Sequence, residues 1–163
     1  MFMLNASIVL YQHSPAEIQQ LVLALRASSL VSEIYLIDNS ETPNKDFEQF
    51  PARYIFNNKN LGYGAAHNIA IRETIAQNTP FHLVVNLDIE LKTENLDELL
   101  AYMEQNPGVG HLMPKVLYPD GSLQYLCKLL PKPSDLFFRR FLPASWTQKS
   151  NEHFELRKSG YDK

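Results

Sequence analysis

Short apolar runs alternate with amphipathic segments along much of the chain. Four of the runs have strand length and strand composition, at 6–11, 33–40, 53–58 and 81–87. Between them, apolar residues recur at helical spacing after Ser14 and after Thr93, and a further helix is predicted over roughly 65–77. This alternation predicts an α/β fold with a mostly parallel open sheet and helices on both faces.

Capping residues indicate where two of the helices begin. Ser14 is a predicted N-cap, with Pro15 at the first helical position and Glu17 at capping-box spacing. Thr93 is the predicted N-cap of the last helix. The predicted buried face of the first helix consists of Ile18, Leu21, Val22 and Leu25.

The pattern weakens after the last helix. A fifth strand, interrupted at Pro114, is predicted over 109–118, and a Pro-Asp-Gly turn follows at 119–121. From residue 129 onward the chain is first basic, aromatic and broken by prolines, and then polar. The segment "KLLPKPSDLFFRRFLP" could contact a membrane surface, but its prolines favour packing against the sheet. If exposed, its phenylalanines, Phe137, Phe138 and Phe141, would promote self-association.

Composition narrows the class of protein. The 163 residues suit one domain, and 45% hydrophobic residues allow a sizeable core. A net charge of −3 argues against a general nucleic-acid binder, so no nucleic-acid partner is expected. The single cysteine, Cys127, cannot form an intramolecular disulfide and fits a reducing compartment, which predicts a cytoplasmic location. No apolar run is long enough to span a bilayer.

Candidate chemistry lies where the predicted strands end, since ligands of open α/β sheets bind beyond the carboxyl ends of the strands. The first strand ends at Tyr11, the second at Asp38 and the third just before a glycine-containing loop. A carboxylate such as that of Asp38 can accept a hydrogen bond from N3–H of uracil or thymine. An Asp-Asn-Ser sequence is also ordinary turn chemistry, and taken alone that interpretation is favoured.

The loop contains Gly62-x-Gly64-x-x-His67, which is only superficially like the dinucleotide fingerprint. The third glycine is replaced by His67, and the loop follows the third strand instead of the first, which argues against a dinucleotide-dependent dehydrogenase. The glycines permit close approach of a ligand, and the helix that follows favours an anion such as a diphosphate. Alternatively, the glycines only shape a tight loop. His67, like His13, is predicted to serve packing or the surface.

The fourth run leads into "NLDIE". If the strand continues, Asn86, Asp88 and Glu90 share one face. These oxygen-bearing side chains suit Mg²⁺ or Mn²⁺, which often bind one or two carboxylates together with substrate phosphates. The residues alone leave open the alternative that the strand simply exits into solvent.

Taken in order, these motifs closely resemble family 2 glycosyltransferases of the GT-A fold. The stretches are "SIVLY", "LIDNS", "NNKNLGYGAAHNIAI", "HLVVNLDIEL" and "GHLMPKVLYPDGSLQ", followed by the proline-rich segment with "FFRR". The resemblance spans roughly 5–142 and is strongest to the rhamnosyltransferase-like branch that builds bacterial polysaccharides. It implies that residues 1–128 form the core that binds the nucleotide-sugar donor, and that 129–163 belong to the same domain.

The resemblance also implies site residues. Asp38 would read the pyrimidine base and Tyr11 would flank it. Asn86-x-Asp88 resembles a variant of the family's DxD motif, with Leu87 in place of the usual proline. Asp88 would bind the metal, and Glu90, one step beyond the motif, ranks lower. The loop around the ribose and diphosphate would comprise Asn60, Gly62, Gly64 and Asn68.

The implied reaction is inverting transfer from a UDP- or dTDP-sugar to a saccharide or lipid-linked acceptor. Mg²⁺ or Mn²⁺ would neutralise the leaving diphosphate, and a carboxylate base would deprotonate the acceptor hydroxyl. Such an enzyme would work in the cytoplasm, with peripheral contact at the inner face of the membrane as a further option.

Family members continue past this point into a half that carries the catalytic base, so no catalytic residue is predicted. We therefore expect a donor-binding half, from a truncated reading frame or a split enzyme, that binds donor but transfers sugar weakly or not at all. The alternative is a non-catalytic nucleotide-sugar-binding or partner-binding half-domain that pairs with a missing half. A nucleotidyltransferase is disfavoured, because "YQHSPAE" lacks a glycine-rich basic loop.

Overall fold

A computed structural model describes residues 3–130 and 152–157. Residues 1–110 and 111–163 form two compact units. The first unit contains a four-stranded, fully parallel sheet in the order β3-β2-β1-β4. Its strands are β1 (Leu4–Leu10), β2 (Val31–Asp38), β3 (Arg53–Phe56) and β4 (Phe81–Val84). The predicted α/β class with a parallel sheet is confirmed.

Helices cover both faces of this sheet. They are α1 (Pro15–Ala27), α2 (Tyr63–Ala76) and α3 (Thr93–Gln105), with a short 3₁₀ helix at Lys45–Gln49. On one face, α1 and α3 pack against the alternate residues of β1 that include Ile8 and Leu10. On the other face, α2 places Ala66 and Ala70 against Tyr35 and Ile37 of β2. The small alanines let α2 lie close to the sheet.

The start of α1 is as predicted. The Glu17 carboxylate accepts hydrogen bonds from the Ser14 N–H (2.7 Å) and the Ser14 hydroxyl (2.8 Å), and Pro15 is the first helical residue. The prediction for α3 was wrong by one position. Its N-cap is Lys92, whose carbonyl accepts the first hydrogen bond, from the Asn95 N–H (3.1 Å), so Thr93 already lies inside the helix.

The fourth strand ends earlier than predicted. β4 stops at Val84, and a turn follows in which the Ile89 N–H donates to the Asn86 carbonyl (3.4 Å). The expectation that "NLDIE" continues the strand was therefore wrong: β4 pairs with β1 only up to Val84, opposite Ser7, although β1 continues to Leu10. Asn and Asp favour turns, and here they take the backbone out of the sheet. The alternation of exposure persists in the turn: its polar side chains are exposed, while Leu87 and Ile89 pack against the core.

The predicted fifth strand was also wrong for the described residues. Over 109–118 only an isolated antiparallel bridge forms, between Leu117 and Leu123. Pro114 offers no N–H to a ladder, which explains the break. The Pro-Asp-Gly turn is confirmed: the Tyr118 N–H donates to the Ser122 carbonyl (2.8 Å), and Gly121 supplies the required positive φ of +82°.

The basic and aromatic segment over 131–143, with the predictions made for it, lies outside the described residues. Within the described part, no helix combines the length and apolarity needed to cross a membrane. Cys127 is half-buried and, as the single cysteine, forms no disulfide within the chain.

Candidate functional site

The carboxyl ends of the four strands meet at one edge of the sheet. The strand order reverses at β1, since β2 and β3 lie on one side of it and β4 lies on the other. This is the switch point at which open α/β sheets bind ligands. The backbone links the strand ends directly, because the Asn39 N–H donates to the Leu10 carbonyl (2.9 Å) and the Asn57 N–H to the Asp38 carbonyl (2.8 Å).

A chain of asparagines fixes the glycine-containing loop to this edge. The Asn57 amide donates to the Asn39 side-chain oxygen (2.9 Å), and the Asn39 amide contacts the Gly62 carbonyl (3.4 Å) and the Asn60 side-chain oxygen (3.5 Å). The same Asn60 oxygen accepts from the Gly62 N–H (2.9 Å). Asn60 and Gly62 were predicted site residues, whereas Asn39 was predicted only as part of the turn at the end of the second strand.

Gly62 is the N-cap of α2, and its backbone conformation requires a residue without a side chain. Its φ of +80° and ψ of 164° lie in a region that is almost exclusive to glycine. Gly64 is helical and faces open space, since no atom lies within 4 Å of where a Cβ would stand. The first N–H groups of a helix have no partners within it, so this end of α2 can donate to an anion.

The glycine loop and the turn after β4 are joined by one side chain. The Tyr63 hydroxyl donates to the Asn86 side-chain oxygen at 2.6 Å, and its ring packs edge-on against His67 with centroids 4.3 Å apart. Burial, and then the charge of Asp88, raise the pKa of Tyr63. The side chains of Asn86, Asp88 and Glu90 are exposed. Tyr63 thus connects the glycine loop to the turn at Asn86–Asp88, the two elements that were predicted to bind a diphosphate.

Asp38 occupies a different environment. It is only 1% exposed, and its two oxygens accept hydrogen bonds from the Ser40 N–H (2.9 Å) and the Tyr54 hydroxyl (2.6 Å). Burial, followed by the bond to Asp38, raises the pKa of Tyr54 to about 12. Tyr54 in turn packs against Phe47. These bonds satisfy the turn interpretation of Asp38, and they hold its carboxylate away from the glycine loop.

The remaining predicted residues are on the surface. Tyr11 is 42% exposed and follows β1 directly. The next residue, Gln12, has a positive φ of 57° and is held by its N–H to the Ser40 hydroxyl (2.8 Å). Asn68 is exposed on α2. The turn that begins at Asp38 therefore shapes the backbone beside Tyr11.

A protein-family model described as Glycosyl transferase family 2 matches residues 7–145. The matched range includes all of the elements that form this edge. The chain belongs to glycosyl transferase family 2. The resemblance predicted from the motifs is confirmed at the level of the family. No curated protein matched the chain. Family membership indicates a glycosyltransferase with a nucleotide-sugar donor and an acceptor substrate.

Behind the edge, the family 2 domain holds a largely buried polar network that the sequence did not reveal. The Ser7 hydroxyl lies 2.7 Å from His67 Nδ1 and 2.7 Å from His82 Nε2, and His82 Nδ1 lies 2.7 Å from the Thr74 hydroxyl. Burial lowers the pKa of both histidines to about 4. The predicted packing role of His67 is thus fulfilled by a hydrogen-bonded, neutral histidine.

The carboxylates of the turn after β4 suit a metal ion that the protein and its substrate bind together. Family 2 glycosyltransferases commonly use divalent metals. No group of three or more histidines, cysteines or acidic residues gathers among the residues described. The exposed Asp88 carboxylate, with Glu90 nearby in sequence, instead suits the mode in which Mg²⁺ or Mn²⁺ takes one or two carboxylates and completes its shell with phosphate oxygens and water.

Proposed function

We propose that this chain binds a UDP- or dTDP-sugar at the edge formed by the glycine loop and the turn at Asn86–Asp88. The observation that carries the proposal is the 2.6 Å bond from Tyr63 to Asn86, which brings these two elements together at the switch point of a family 2 domain. Taken alone, the glycines would only shape a tight loop and the polar turn would only lead into solvent. Together they offer helix N–H donors and an exposed carboxylate, the complementary partners of a metal-bound diphosphate.

Each predicted residue then has a stated role. The diphosphate would lie at the start of α2, where Gly62 and Gly64 leave space, with Asn60 and Asn68 near the ribose. Asp88 would hold Mg²⁺ or Mn²⁺, with Glu90 as the less favoured ligand. The bound metal would offset the charge that develops on the leaving diphosphate.

The base would lie beside Tyr11 and the turn at Asp38. Each carboxylate oxygen has a second lone pair, so Asp38 can accept from N3–H of uracil or thymine without losing Ser40 or Tyr54. Its 1% exposure means that the residues that cover it must move for this contact to form. The proposed reaction is inverting transfer to a saccharide or lipid-linked acceptor in polysaccharide synthesis, a context supported by the rhamnosyltransferase-like order of motifs.

A thermal-shift experiment with UDP- and dTDP-sugars tests the donor site. In the presence of Mn²⁺ or Mg²⁺, a matching donor at about 100 times its Kd should stabilise the chain by about 2.7 kcal/mol. Asp88→Ala should abolish the metal-dependent part of this shift, because it removes the only carboxylate of the Asn86–Asp88 motif. Glu90→Ala is the matched control, since it deletes an equally exposed carboxylate two positions away.

The results distinguish an error in the proposed function from an error in the assignment of the metal ligand. If no donor stabilises the wild-type chain, the proposed function is wrong. If donors stabilise it equally with and without metal, or if Glu90→Ala has the effect expected of Asp88→Ala, the assignment of the metal ligand is wrong.

A further inference from the structure

We propose that Tyr63 is a positioning residue, which holds Asn86 so that the Asn86 amide and the Asp88 carboxylate face the donor diphosphate in a fixed geometry. This inference rests on the proposed function. Tyr63 is the aromatic residue between the two glycines; it belongs to the motif that carries the family resemblance, but the sequence assigns a role only to the glycines and asparagines around it.

The hydrogen bond defines the orientation of Asn86. The Tyr63 hydroxyl has one proton, which it donates to the Asn86 side-chain oxygen at 2.6 Å. This bond fixes the plane of the amide and leaves its two N–H donors on the opposite side. Asn86 is exposed and follows the end of β4, so without the bond its side chain would be free to populate other rotamers. Binding a ligand would then have to overcome that freedom.

The tyrosine itself is held from behind. It is the first residue of α2, and its ring packs edge-on against His67. His67 is buried and hydrogen-bonded to Ser7 in β1 at 2.7 Å. A rigid path therefore runs from the centre of the sheet through His67 and Tyr63 to Asn86. Loops carry function best when they rest on such fixed supports.

In this arrangement Asn86 and Asp88 have different roles in the turn. Because the Asn86 oxygen already accepts from Tyr63, its amide group is oriented to donate, which suits a phosphate or ribose oxygen. Asp88 can only accept when ionised, which suits a metal. In this arrangement the side chain of Tyr63 contacts neither the ligand nor the metal and acts through Asn86.

The test is the affinity for UDP, with Mn²⁺ present, measured by calorimetry on the 163-residue chain. Tyr63→Phe deletes the hydroxyl and keeps the ring against His67, so affinity should fall about two- to tenfold, the value of one hydrogen bond. Asn86→Ala should weaken binding at least as much. Adding Tyr63→Phe to Asn86→Ala should cost nothing further, because the hydroxyl then has nothing to orient. Tyr102→Phe, at a half-exposed tyrosine of α3, is the matched control.

A merely structural role for Tyr63 would lower the melting temperature and give additive losses in the double variant. Wild-type affinity in Tyr63→Phe, or additive losses, would overturn the inference while leaving the donor site intact. If the wild-type chain binds neither UDP nor dTDP with Mn²⁺, the proposed function is wrong and this inference is wrong with it.

Discussion

Lowering the pH from 6.5 to 4 should strongly destabilise this chain, because the buried His67 and the half-buried His82 must then take up protons. Burial holds the pKa of His67 and of His82 at about 4, against an ordinary value of 6.5. Both are neutral in the folded protein at pH 7. Their contribution to stability is therefore complete above pH 6.5 and is lost as the pH falls through about 4, since the unfolded chain binds protons first.

The hydrogen bonds explain why neither ring tolerates a second proton. The Thr74 hydroxyl donates to the Ala70 carbonyl (3.0 Å), so His82 Nδ1 must donate to Thr74. His82 Nε2 then accepts the Ser7 proton, and His67 Nδ1 donates to the Ser7 oxygen. In the described structure His67 Nε2 is buried with no partner. A proton there would create an uncompensated buried charge, and a proton on His82 Nε2 would break its bond from Ser7.

Each histidine should contribute on the order of 2 kcal/mol to this loss. The measurement is the free energy of unfolding from urea titrations between pH 7 and pH 4. His82→Gln should be less stable at pH 7 but should lose less on acidification, because one titrating group is gone. His111→Gln, at an exposed histidine, should follow the wild-type profile. A stability that stays level down to pH 4 would contradict the neutral, buried network.

Gly62→Ala and Gly64→Ala should change stability in opposite directions. Gly62 has a backbone conformation that costs any other residue about 1–3 kcal/mol, so its variant should unfold more easily by that amount. Gly64 is helical, and an alanine there should stabilise α2 by up to about 1 kcal/mol. Neither added methyl group meets an atom within 4 Å, so contacts do not confuse the comparison. Urea denaturation of both variants measures the difference.

Although Gly64→Ala should be more stable than the wild-type chain, it should bind the donor nucleotide more weakly. If the diphosphate approaches the start of α2 closely, the methyl group of Gly64→Ala occupies its space, and the more stable variant should bind UDP and Mn²⁺ at least tenfold more weakly, about 1.4 kcal/mol. Unchanged affinity in Gly64→Ala would show that the ligand does not approach this residue. Equal stability of the two variants would contradict the special backbone conformation of Gly62.

Local patterns predicted most of the fold. Alternation of apolar runs and amphipathic segments located all four strands and three helices of the first unit, because each element must bury one face. Strand ends were harder, since "NLDIE" keeps the alternation of a strand, yet its turn-forming Asn86 and Asp88 take the chain out of the sheet after Val84 while β1 continues to Leu10. The predicted fifth strand failed because apolar residues around Pro114 suit a strand only if a ladder can form without its N–H.

The candidate site could be outlined from the sequence only where its motifs are contiguous. Glycines 62 and 64 and the pair Asn86–Asp88 stood out because glycine and paired oxygen ligands are rare at such positions. Tyr63, Asn39 and the histidine network did not, because their roles depend on contacts between residues that lie 18 to 75 positions apart in the chain. Asp38 shows the converse: the family resemblance implied a contact with the base, whereas its carboxylate is buried and bonded to Tyr54, as the turn interpretation of its motif alone had favoured.

A crystal structure of the chain with UDP and Mn²⁺ would test the central proposal most directly. We expect the diphosphate at the start of α2 beside Gly64, the metal bound by Asp88, and the Tyr63–Asn86 bond retained. Nucleotide bound away from the carboxyl ends of β1 and β4, or a metal held without Asp88, would contradict it.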